Sequence, residues 1–79
     1  MKIKAVIKEK KAIYISTEYI TLDNALKLAG IAGTGGQAKM IIQDGLVSVN
    51  NETCLMRGKK LRPGDMFKFE KDSYEVKSK

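Results

Sequence analysis

The sequence predicts an α+β fold in which two short helices pack on a small antiparallel or mixed sheet, with a β-hairpin in front of them. Three observations carry this prediction. Apolar residues recur at helical spacing in Leu22, Ala25, Leu26 and Ala29, and again in Ala38, Ile41 and Ile42, each set forming one buried stripe. On either side, apolar residues alternate with polar ones at Ile3-Ala5-Ile7, Ile13-Ile15, Val47-Val49 and Phe67-Phe69, the period of a half-buried strand. Turn formers, among them Gly30, Gly45, Asn50-Asn51 and Pro63-Gly64, fall between the periodic segments and punctuate the chain.

Taken in order, Lys2 to Ile15 reads as the hairpin, with Lys8, Glu9, Lys10 and Lys11 at its tip. After a connector, Thr21 offers a hydroxyl N-cap and Asp23-Asn24 a polar first turn for helix one, Leu22 to Ala29, which Gly30 ends. Thr34 and Gln37, three apart, have the form of a capping box and open helix two, Gly35 to Asp44. Gly45 suits the left-handed position that follows. A strand at Val47-Val49 turns at Asn50-Asn51, because Asn tolerates positive φ, and Thr53 to Met56 returns as a short strand. Pro63-Gly64-Asp65 breaks the chain before a strand at Phe67 and Phe69. A turn at Lys71-Asp72-Ser73 leads to a strand at Tyr74-Val76, and Lys77 to Lys79 is expected to fray. No repeat or linker interrupts the chain, so residues 1–79 read as a single domain that opens with a hairpin over 1–16.

Composition narrows the function. Fifteen Lys plus Arg against nine Asp plus Glu leave a formal charge of +6 on 79 residues, a field that draws polyanions such as nucleic acid or an anionic membrane surface. No apolar run approaches membrane-spanning length. The lone Cys54 permits no internal disulfide, fits a reducing, cytoplasmic setting and reads as a small hydrophobe. There is no histidine, and the carboxylates are scattered beside lysines. Neither a catalytic acid–base pair nor a metal or cofactor site is expected, and the chain reads as a non-enzyme. The Gly33-Thr34-Gly35-Gly36 stretch lacks the Gly-Lys-Ser/Thr ending of a nucleotide-binding loop and follows a helix rather than a strand.

Two elements can instead hold the backbone of a polyanion. Glycines at the start of helix two expose amides to a phosphate, with Lys39 one turn on, and Gly36, Lys39 and Gln43 share one flank away from the buried stripe. The second element is Met56 to Arg62, where Arg57, Lys59, Lys60 and Arg62 stand without an acidic neighbour. The hairpin lysines Lys2, Lys4, Lys8, Lys10 and Lys11 read as protection of a sheet edge. Tyr14, Tyr19 and Tyr74 are few, and Phe67 and Phe69 read as core, so a base-stacking platform is not indicated.

The run TLDNALKLAGIAGTGGQAKMIIQDGLVSVNN, followed by GKKLRPGDMFKF, resembles the S-four RNA-binding domain over about Ile20 to Phe69. The resemblance rests on Leu22-Asp23, Ala38, Gly45, Val47, Val49-Asn50 and Gly64-Asp65. Within that family the GGQAK and RGKKL segments are most similar to short stand-alone bacterial members of the YaaA and YbcJ type. The resemblance implies the alpha-L RNA-binding motif and an RNA surface at Thr34, Gly35, Gly36, Gln37, Lys39, Asn50, Arg57, Lys59 and Lys60. Thr21 stands where the family commonly has Arg, and glycines stand where it commonly has Ser-Arg before helix two. The expectation is a monomeric, cytoplasmic protein that binds structured RNA, ribosomal or tRNA-like, in translation or ribosome assembly. It requires no cofactor and no membrane. A protein-interaction adaptor docking on an acidic partner, and a weak nucleotide-binding enzyme, stay open as alternatives.

Overall fold

Both helices form where the apolar spacing places them, and each stops on a glycine. In the computed structural model, which describes residues 10–79, α1 spans Leu22–Leu28 and α2 spans Gly35–Gln43. Gly30 and Gly45 follow them at φ +80° and +76°. The amide of Ile31 donates to the carbonyl of Leu26 and that of Gly30 to Lys27; Leu46 donates likewise to Ile41 and Gly45 to Ile42. This double bond pattern closes a helix only around a left-handed residue, which glycine supplies without steric cost.

Among the described residues seven strands accompany the helices: β1 Lys10–Ile15, β2 Ile20–Thr21, β3 Val47–Val49, β4 Glu52–Thr53, β5 Lys60–Leu61, β6 Met66–Phe69 and β7 Asp72–Ser78. Five of them form a mixed sheet in the order β1-β7-β6-β3-β4, and β2 pairs with β5 in a separate ladder. Every pairing is antiparallel except that of β1 with β7, which is parallel. The architecture is the α+β arrangement expected of the sequence.

One face of the sheet carries the core. Ile13 lies opposite Val76, and Phe67 lies between Tyr74 and Val49. These residues join Leu22, Ala25, Leu26, Ala38, Ile42 and Leu61 in one buried cluster. Phe67, wholly buried, stacks on Tyr74 with ring centroids 5.0 Å apart and planes 9° from parallel. The β3–β4 turn places Asn50 and Asn51 at φ 50° and 74°, the pair of left-handed residues that a tight hairpin matching the sheet twist demands.

Several boundaries differ from the sequence-based expectation. The returning strand is paired only at Glu52–Thr53. Cys54 still donates its amide to Val47, after which the chain leaves the sheet for the basic segment. The turn expected at Lys71-Asp72-Ser73 sits earlier, at Glu70-Lys71, with Glu70 at φ 58° and β7 already under way at Asp72. Lys77 to Lys79 does not fray. Lys77 and Ser78 pair with Tyr14 and Ile15, and the Lys79 amide donates to the Ile15 carbonyl. The first arm of the expected hairpin, with Lys2, Lys4 and Lys8, lies outside the described residues. Lys10 and Lys11, expected at its tip, belong to β1, where Lys11 lies over the Tyr74 ring and pairs with Asp72 at 3.5 Å. Among the described residues no helix is long and apolar enough to cross a membrane.

Candidate nucleic-acid interface

Helix α1 begins without the side-chain cap expected of Thr21, whose hydroxyl instead donates to Asp23 Oδ1. The first amides of α1 are taken up by the basic segment: Leu22 donates to the carbonyl of Lys59 at 2.9 Å, and Asp23 to that of Arg57 at 3.1 Å. A helix start needs acceptors for amides that lack intrahelical partners. Here the backbone of the cationic loop provides them and is pinned in return. One strand further, β5 pairs with β2 and buries Leu61 completely, which anchors the far end of the same segment in the core.

The side chains of this pinned segment face solvent. Arg57, Lys59, Lys60 and Arg62 are all exposed, and among the described residues none makes an ion pair. Lys59 lines an open concavity together with Asn50, Glu52, Cys54 and Met56. Asn50 is exposed but occupied: its Oδ1 accepts from the Met66 amide at 3.0 Å, and its Nδ2 donates to Asp65 Oδ1 at 3.3 Å. Asp65 Oδ2 in turn accepts the Arg62 amide at 2.8 Å. Asn50 therefore fastens the β3–β4 turn to the end of the basic segment, a structural task that leaves one amide hydrogen for a ligand.

The second element is the front of α2. Thr34 Oγ1 accepts from the Gln37 amide at 3.1 Å, and Gln37 Oε1 accepts from the Gly33 amide at 2.6 Å. The capping box thus forms, reaching back to the residue before the N-cap. It leaves the amides of Gly35 and Gly36 to solvent or to a bound anion. Lys39 and Gln43 follow at successive turns and are exposed, while Ala38 and Ile42 are wholly buried.

The two elements attach to α1 at opposite ends of its chain: the basic segment is bonded to the first turn, whereas Thr34 to Gln37 follows the last turn after a short loop. Helix α2 bridges the interval. Its far end, Gly45, lies against Thr53 and Leu55, two residues before Arg57; a Cβ built there would sit 3.9 Å from Thr53 and 4.0 Å from Leu55. The arrangement is a track rather than a single clamp.

The glycines at the front of α2 are not required by the fold. Neither Gly35 nor Gly36 has a positive φ, and a Cβ at Gly35 would meet open space. Gly35→Ala should therefore leave the melting temperature unchanged or raise it by a few degrees, since Ala favours a helix over Gly by up to ~1 kcal/mol. If the exposed amides receive a phosphate, the added methyl should weaken RNA affinity severalfold. Thermal melting and fluorescence anisotropy on one preparation check both effects.

Reading the sequence alone missed one residue of this region. Tyr19 carries Lys60 Nζ 4.9 Å and Arg62 Cζ 5.9 Å from its ring centroid. The ladder that places it is two residues long on each strand, too short for periodicity to reveal.

A family model described as S4 domain matches residues 13–77. A Bacillus subtilis (strain 168) protein described as a probable ribosome maturation protein, RlbA, is 45% identical over 58 residues, which cover 73% of this chain and 82% of that protein.

Proposed function

The chain belongs to the S4 domain family, and from that premise we propose that it binds structured RNA of the ribosome, without catalysis, along the track that joins the front of α2 to the Arg57–Arg62 segment. The observation that carries the reading is a cationic segment whose backbone is fixed by α1 and β2 while its four charged heads have no acidic partner among the described residues. Cations without acidic partners attract phosphate, and the pinned backbone beneath them surrenders little further order on binding it. Recognition then rests on backbone charge and shape, the usual basis for contacting folded RNA.

The likeness to a probable ribosome maturation protein supports an RNA target within ribosome assembly and a cytoplasmic place of action. The absence of histidine from the sequence supports a binding role over a catalytic one.

The test is the salt dependence of binding to ribosomal RNA and to a labelled RNA hairpin. Lys39, Arg57, Lys59, Lys60 and Arg62 together neutralise about five phosphates, so log affinity should fall with log salt at a slope of roughly −3.5 to −4.5. An affinity that ignores salt removes the electrostatic basis of the proposal.

A further inference from the structure

The ladder of β2 and β5 sorts its side chains onto two faces. Ile20 pairs with Leu61 and Thr21 with Lys60, and because Leu61 is wholly buried, the alternation of a strand puts Lys60 and Arg62 on the opposite, solvent face. Continued by one position, the same register sets Tyr19 across from Arg62 and diagonal to Lys60. The distances agree, with both cationic heads within 6 Å of one aromatic ring.

Tyr19 is 38% exposed and stands outside the buried cluster, so its ring contributes little to the core. It gathers two like charges at one place. Asp65, whose carboxylate is bonded to this segment, spends it on the Arg62 amide and on Asn50 Nδ2. Two long cationic side chains held on one ring with no ion pair among the described residues repel each other until an anion arrives, and their flexibility has already been reduced when it does.

We propose that Tyr19 is a positioning residue that holds Lys60 and Arg62 together as a two-cation fork for adjacent phosphates of the RNA backbone. This rests on the RNA-binding reading above and adds to it the device that organises one end of the track. The ring acts through the cations and is not itself a stacking surface for a base.

Proton NMR and hairpin binding together test the fork. In the wild-type protein the ε-methylene protons of Lys60 should show an upfield ring-current shift, kept in Tyr19→Phe and lost in Tyr19→Leu. Hairpin affinity should be unchanged in Tyr19→Phe and about fivefold weaker in Tyr19→Leu, the loss expected when exposed cation–π contacts no longer hold the pair. That loss should vanish in a Lys60→Gln, Arg62→Gln background, as a double-mutant cycle reads coupling. An unshifted Lys60 signal in the wild type overturns the proposal even if Tyr19→Leu fails to fold. So does a Tyr19→Leu loss that persists in the double-glutamine background, which would mean that the ring touches RNA directly. A wild-type protein that binds no RNA removes the function as well, whereas a binding wild type with an unaffected Tyr19→Leu removes only the role of Tyr19.

Discussion

Reversing the charge of Lys39, Lys59 and Lys60 together is expected to weaken binding to structured RNA by roughly 1,000-fold or more. Each lost charge-assisted contact is worth at least about 1.5 kcal/mol, so three amount to about 4.5 kcal/mol before the repulsion of the new carboxylates is added. The fold should survive, because all three side chains are exposed and make no ion pair among the described residues. Each Lys→Glu change lowers the charge by two, so the triple variant falls from +6 to zero, and a near-neutral protein is prone to self-association. The Lys39→Gln, Lys59→Gln, Lys60→Gln variant, at +3 by the same count, therefore serves beside it. Its salt slope should be shallower by about 2 to 3, since each phosphate contact contributes about 0.7 to 0.9. If the protein were an adaptor for an acidic partner protein, the triple variant would lose RNA while a purified protein complex stayed intact. Retention of RNA by the glutamate variant would leave the track without support.

Phe67→Ala should be the most damaging single substitution to stability, costing about 3–5 kcal/mol. The ring is wholly buried, lies between Val49 and Tyr74 in the register, and stacks on Tyr74. A domain of this length has about 4–12 kcal/mol of stability to lose. The melting temperature should fall by about 15 °C or more, with Phe67→Leu losing a smaller part. A shift of only a few degrees on differential scanning calorimetry would show that the sheet face is not packed as described.

Local signals were mostly read correctly from the chain, the Thr21 cap and the turn before β7 excepted, and distant ones were not. Gly30 and Gly45 end their helices because the left-handed position is decided within a few residues, and the Thr34–Gln37 box forms for the same reason. Asn50-Asn51 likewise announces its own turn. The acceptors for the first amides of α1 come from Arg57 and Lys59, more than thirty residues downstream, and no periodicity encodes a carbonyl. Spacing gave the exposed flank of α2 and composition gave the cationic segment, but the interval between them depends on how α1 and α2 dock. Lys77 to Lys79 looked like a frayed end because charge and position argue for fraying; a parallel partner sixty residues earlier in the chain holds it in place.

That parallel partnership also bears on how the molecule is made. Strand β1 emerges from the site of synthesis well before its only neighbour among the described residues, β7. Until residues 72–78 appear, the backbone of β1 has no described strand to bond, and closure of the sheet must wait for a contact of large sequence separation. Pairing of this strand is thus tied to the translation of β7, and among the described residues its backbone stands open to other nascent chains in the meantime.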